Sequence, residues 1–285
     1  MLIAVFRALS ALPLSWLHAA GALLGLLAPH LSAGYRQRFD DGFAHSGLAD
    51  PARRRAALRE AGKTIFELPW IWMRPPATTQ AKVRVTGWDV VERARAQQRG
   101  IVFLTPHQGC FEITAQTYAY RGGPLTVLFS PPKRAAARDL LDVARARPNL
   151  QAAPATLSGV RQLVRALKRG EAVGILPDQV PGPNEGAWAD FFHRPAYTMT
   201  LPVKLQQLSN AVMVLAVGER LPRSAGYVVH FFEWNEPWAA TPEAQARQIN
   251  AAVENLVQRF PEQYLWAYNR YKRPAGVPPP SSTSV

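Results

Sequence analysis

The chain has 285 residues, 48% of them hydrophobic, a net charge of +13 and a single cysteine, Cys110. That length and apolar content suffice for a packed core, and they exclude a wholly disordered chain, an intrachain disulfide and a four-cysteine zinc site. The charge excess points to an anionic partner: nucleic acid, an acidic lipid surface, or an acidic protein or ligand.

From Ala8 to Gly34 there is no Lys, Arg, Asp or Glu over 27 residues. A bilayer core needs roughly 20 apolar residues in a helix. Pro13, His18, Pro29 and His30 interrupt the run, and Trp16 suits an interface. Residues 1–35 are therefore expected to be a transmembrane or interfacial anchor, with a buried core helix as the alternative. A cleaved signal peptide is disfavoured, because Arg7 alone precedes a long run and no small-residue cleavage site follows. Arg36, Arg38 and Arg53 to Arg55 come next, which puts the body on the cytoplasmic side by the positive-inside rule.

Asp50-Pro51 reads as an N-cap with proline at the first helical position, opening a helix expected to run to about Trp72. Val83–Val85 reads as a short strand and Trp88–Gln98 as an amphipathic helix ended by Gly100. The run from Ile101 to Thr105 is a buried strand, followed by a helix from about Cys110 to Tyr120. Leu125–Phe129, Gln151–Ala155, Ala172–Leu176, Ala211–Val217 and Tyr227–Glu233 are further strands. Lys133–Arg147, Leu157–Arg169, Met199–Leu208 and Pro242–Phe260 are helices between and after them. The alternation predicts an α/β fold: a single domain over residues 36–273, with a central mixed sheet flanked by helices. Residues 274–285, rich in Pro and Ser, are expected to be a disordered tail.

Four features bear on chemistry. In Thr105-Pro106-His107-Gln108-Gly109-Cys110-Phe111-Glu112 a buried strand delivers a histidine where a helix begins, the usual place for functional groups in open α/β sheets. A neutral imidazole can accept a hydroxyl proton, and a carboxylate on its other nitrogen fixes the tautomer. Residues five apart on a helix differ by about 140°. His107 and Glu112 therefore meet only if the histidine lies outside the helix and the glutamate in its first turn. Cys110 is conceivable as a nucleophile but reads better as a small core residue. In Gly174-Ile175-Leu176-Pro177-Asp178-Gln179 a second buried strand delivers an acid, either to bind or orient a substrate, to meet a basic side chain, or to cap a turn. A basic set from Lys133 to Arg169, including Arg145 and Arg147, offers phosphate ligands among solvated helix faces. The segment from Pro261 to Pro274 alternates aromatic and basic residues, as an interfacial strip or as core packing. No nucleic-acid-binding, P-loop, dinucleotide or HExxH signature occurs, so nucleic acid is set aside as a partner and neither a metal nor a cofactor is expected.

The order of these blocks resembles the lysophospholipid acyltransferase superfamily, and most nearly its bacterial late acyltransferases of lipid A biosynthesis. The resemblance spans about Ala8 to Pro274 through TPHQGCFE, ARARP, GILPDQ, FFHRPAYT and PEQYLWAYNRYKRP. It implies His107 and Glu112 as the catalytic HxxxxD/E pair. It also implies Arg145 or Arg147 as a ligand of acceptor phosphate or thioester oxygen, and Asp178 as part of the substrate site. Cys110 stands where the family has asparagine, and His193 where it has glycine after two phenylalanines. By the same resemblance the donor is an acyl thioester on acyl carrier protein. The acceptor is an anionic glycolipid or phospholipid hydroxyl, and the location is the cytoplasmic face of the inner membrane. An acyltransferase for a lysophospholipid or aminolipid, and a non-enzymatic membrane-binding module, are the competing readings.

Overall fold

The computed structural model describes residues 1–48, 50–130, 132 and 134–280. The N-terminal third is helical: α1 (Leu2–Ser10), α2 (Leu14–Leu31), α3 (Ala33–Ala44), α4 (Pro51–Phe66), α5 (Leu68–Met73) and α6 (Pro76–Gln80). Strands and helices then alternate: β1 (Val83–Thr86), α7 (Trp88–Ala96), β2 (Ile101–Leu104), α8 (Phe111–Arg121), β3 (Leu125–Phe129), α9 (Ala135–Arg145), β4 (Leu150–Pro154), α10 (Leu157–Lys168) and β5 (Ala172–Ile175). The hairpin β6 (Gly186–Phe191) and β7 (Arg194–Met199) follows, then α11 (Leu201–Ser209), β8 (Val212–Arg220), β9 (Tyr227–Glu233) and α12 (Pro242–Arg259).

Seven strands form one mixed sheet in the order β1-β9-β8-β2-β5-β3-β4, as the alternation predicts. Only the β8–β9 pair is antiparallel. β2 and β5 lie at its centre and are buried throughout, so their apolar runs serve two cores at once. Alternation decides which residue serves which. Ile101 and Phe103 enter the core under α7 and α8 with Ile113, Tyr118 and Phe231. Val102 and Leu104 enter the opposite core with Leu163, Leu167 and Leu205 of α10 and α11. Each such buried side chain contributes about 1.5–3 kcal/mol.

The expected helix from Pro51 to Trp72 is broken at Glu67 into α4 and α5. Pro69 has no N–H to give the Ile65 carbonyl, so the ladder fails there. The break turns Glu67 inward, where Arg220 binds it through two nitrogens at 2.7 and 2.9 Å and Tyr227 donates to it at 3.0 Å. Burial alone would raise the Glu67 carboxyl, but Arg220 and His18 outweigh it and hold it down at about 2. His18, on α2, donates to the same carboxylate at 3.1 Å.

That contact fastens α2 to the body. Gly21 and Gly25 of α2 cross Gly62 of α4 so closely that a Cβ on Gly62 would lie 1.9 Å from the Gly21 carbonyl oxygen. α2 is the one described helix long and apolar enough to cross a membrane, and one third of it is buried against the protein. Trp16, Leu23, Leu27 and Leu31 are exposed on its other side. Of the tail, Val277 is buried and the Pro278 carbonyl accepts from Trp188 at 2.9 Å, while residues 281–285 and Lys133 lie outside the described residues.

Candidate active site

The centre of the sheet places two loops side by side. β2 and β5 run parallel with Leu104 opposite Ile175. His107 and Asp178 each stand three residues beyond that pair, each directly after a proline. The main chain stays paired for one more residue, Thr105 N–H donating to the Ile175 carbonyl at 3.0 Å, before both prolines end the ladder. The loop after β2 then turns at Gly109, whose φ of +58° and 2.0 Å clearance to the Gly218 oxygen admit no side chain.

This register brings the imidazole and the aspartate together. Nδ1 of His107 lies 2.9 Å from Oδ1 of Asp178, and the His107 backbone N–H donates to Oδ2 at 2.9 Å. The Asp178 side chain is 3% exposed. Burial would raise its carboxyl, but the charge and hydrogen bonds of His107 prevail and hold it below the ordinary aspartate value. A carboxylate only accepts, so the proton sits on Nδ1 and the Nε2 lone pair faces outward. The Gln179 amide meets Nε2 at 3.1 Å.

The expected contact between His107 and Glu112 is not formed: among the described residues the carboxylate on this imidazole is that of Asp178. Glu112 does lie in the first turn of α8, but Trp72 of α5 donates to its Oε2 at 3.1 Å and holds it there. The physical reason is the parallel register, which sets Asp178 beside Nδ1 while the helix start leads Glu112 away. The Phe111 ring packs edge-on against the imidazole, 5.0 Å between centroids.

His107, Glu112 and Arg145 nevertheless share one cavity of about 660 Å³. It opens at the carboxyl ends of the central strands, and Val127, Leu128, Phe129, Val160, Leu176 and Met199 make its wall apolar. A smaller apolar space of about 30 Å³ continues beneath Phe111 and Ala115 towards Phe103 and Tyr118. Arg145 ends α9 with its guanidinium 4.3 Å from the centre of the Phe129 ring. Its Nη1 is buried with no hydrogen-bond partner among the described residues. Burial lowers the Arg145 pKa, and the charges of Glu112 and Asp142 partly oppose this.

Arg147 is elsewhere. It donates to the carbonyls of Arg74 at 2.6 Å and Ile71 at 3.0 Å, and to that of Trp72, so it caps the end of α5 and does not line the cavity. Cys110 is 2% exposed in the core, with its thiol raised well above the usual value by burial, which removes it as a nucleophile. Sequence reading missed Gln179 and Trp72. The signal for the Asp178 pairing was present in the two matching strand-x-Pro-polar segments, Thr105-Pro106-His107 and Leu176-Pro177-Asp178.

The family model described as bacterial lipid A biosynthesis acyltransferase matches residues 1–273. The chain belongs to that family. It is 28% identical over 223 residues to the lipid A biosynthesis palmitoleoyltransferase of Escherichia coli K12, covering 77% of this chain and 71% of the relative. It is 26% identical over 242 residues to the lauroyltransferase of the same organism, covering 81% and 76%. It is 24% identical over 282 residues to the myristoyltransferase, covering 90% and 82%. As a member of the lipid A acyltransferase family the chain is an acyltransferase.

Proposed function

We propose that this acyltransferase moves a fatty acyl chain from a thioester, carried on acyl carrier protein, to a hydroxyl of a phosphorylated glycolipid of the lipid A type. The observation that carries this reading is the His107–Asp178 pair at the wall of an apolar cavity lined also by Glu112 and by Arg145, whose buried Nη1 has no partner among the described residues. The acceptor hydroxyl displaces the Gln179 amide from Nε2 and attacks the thioester carbonyl carbon as its proton passes to Nε2. The C–S bond then breaks and the imidazolium returns the proton to the departing thiolate. No covalent enzyme intermediate is required. Base assistance of this kind contributes about 10²–10⁴-fold.

Asp178 orients the imidazole and balances its charge. Arg145 supplies positive charge to the thioester oxygen or an acceptor phosphate, with Glu112 beside it as the second catalytic carboxylate. Arg147 acts from outside, by fixing the end of α5 that carries Trp72 and hence Glu112. The acyl tail occupies the apolar wall and its extension beneath Ala115.

The protein works at the cytoplasmic face of the inner membrane. The exposed apolar side of α2 and Val5 of α1 enter the lipid while the His18–Glu67 bond and the glycine crossing keep α2 on the body. A net charge of +13 suits both an anionic membrane and an acidic donor. Mass spectrometry of lipid A and phospholipids from strains with and without this gene tests the reading. Loss of one acyl chain from lipid A supports it; unchanged lipid A with altered phospholipid or aminolipid acylation refutes the acceptor assigned here.

A further inference from the structure

The aromatic and basic segment after α12 has no part in the mechanism above, yet it binds both loops of the site. On one side Gly109 N–H donates to the Gln263 carbonyl at 2.8 Å, and Leu265 N–H donates to the His107 carbonyl at 3.0 Å. Gln108 and Tyr264 form an antiparallel bridge there. On the other side Val180 N–H donates to the Tyr268 hydroxyl at 2.9 Å, two residues beyond Asp178. Tyr264 is 4% exposed, and its ring packs against Phe191 and Trp266. The same stretch is fastened to β8 by Gln263, which accepts from Arg220 N–H and donates to its carbonyl. Arg270 locks the far end, donating to Thr198 Oγ1 at 2.6 Å and to the Tyr197 carbonyl at 2.8 Å.

We propose that residues 263–268 form a strap that holds the His107 and Asp178 loops in register, with Tyr268 as a positioning residue for the dyad. The proposal rests on the general-base role given to His107 and goes beyond it. Two parallel strands alone fix the loops only as far as their last paired residues. His107 and Asp178 lie beyond that point, after prolines that offer no N–H, so something else must hold them. Neither Tyr264 nor Tyr268 lines the cavity.

Tyr268 fixes the position of the loop that carries Asp178 and Gln179. Tyr264 holds the strap itself, by its main-chain bridge to Gln108 and by its ring against Phe191 and Trp266. Without the Tyr268 hydroxyl the Asp178 loop is free to move away from Nδ1 of His107.

The test uses the full-length protein and the variant Tyr268→Phe, which keeps the ring and its packing. In this variant kcat falls about tenfold with KM within twofold and Tm nearly unchanged, the pattern of a displaced base. The low-field Nδ1–H proton resonance, assigned by its loss in Asp178→Asn, moves upfield as the bond to Asp178 lengthens. Wild-type kcat or an unmoved Nδ1–H resonance in Tyr268→Phe overturns the proposal. The resonance reads the dyad without any substrate, so a shifted resonance with no acyl transfer in the wild type would count against the assigned reaction and leave the strap standing.

Discussion

Asp178→Asn is the most demanding perturbation of this site, because it keeps volume and removes only charge and one acceptor. The carboxylate accepts two hydrogen bonds from His107, one at each oxygen, both at 2.9 Å. An asparagine has a single oxygen. If that oxygen keeps the backbone N–H, its amide N–H₂ faces Nδ1 and drives the proton to Nε2, the nitrogen that must be bare. If it keeps Nδ1–H, the buried backbone N–H faces another donor. The first arrangement removes the base, and the second loosens the loop. Both lose the negative charge that balances the imidazolium. The expected fall in kcat is about 10²–10⁴-fold, or about 2.7–5.4 kcal/mol of transition-state stabilisation. KM should change little, since Asp178 does not line the cavity. The assay is transfer from acyl-carrier-protein thioester to purified acceptor, with Tm measured alongside. A variant that folds and retains more than a third of wild-type kcat would refute the pairing as the source of the base.

The two arginines should separate. Arg145→Ala should cut kcat/KM about 10²-fold with small effect on Tm, because Arg145 lines the cavity and its buried Nη1 has no partner among the described residues. Arg147→Ala should instead lower Tm, by uncapping α5, with its activity loss recovered in part at low temperature; equal Tm losses in the two would contradict this division. Gly62→Ala places a methyl 1.9 Å from the Gly21 oxygen, so it should cost about 1–3 kcal/mol in thermal unfolding and loosen α2, whereas a neutral result would deny the close crossing. Acid should weaken the anchor of α2. Glu67 is held at about 2 against an ordinary 4.5, so its stabilisation is complete above pH 4.5 and is lost as pH falls towards 2. Tm should decline over that window, and Glu67→Gln should flatten the decline.

The central sheet was legible because its signals are local and agree: Ile101 to Leu104 and Ala172 to Ile175 are short apolar runs closed by proline, and helices of the right period lie between. The hairpin β6–β7 was not, since Gly186–Phe191 mixes Ala, Trp and Asp and its stability comes from packing on α12. The break at Pro69 was overlooked because the apolar run continues across it. In the site, the position of His107 followed from strand, proline and helix start, but its partner did not. Glu112 is near in sequence and Asp178 is distant, and only the adjacency of β2 and β5 reverses their nearness in space. The C-terminal segment read as an interfacial strip or, better, as core. Its aromatics proved to be core, packing Tyr264 and Trp266 on Phe191 and Phe192, while its main chain holds the site.

The account stands on the imidazole and the carboxylate acting as one unit, and a double-mutant cycle measures that directly. Single-turnover rates of acyl transfer are compared for wild type, Asp178→Asn, His107→Ala and the double variant. With the histidine gone, removing the carboxylate should slow transfer no further, so the double variant should match His107→Ala within about twofold. If Asp178→Asn instead slows the His107→Ala protein by the same factor as the wild type, the two groups act independently, and the dyad is not the base.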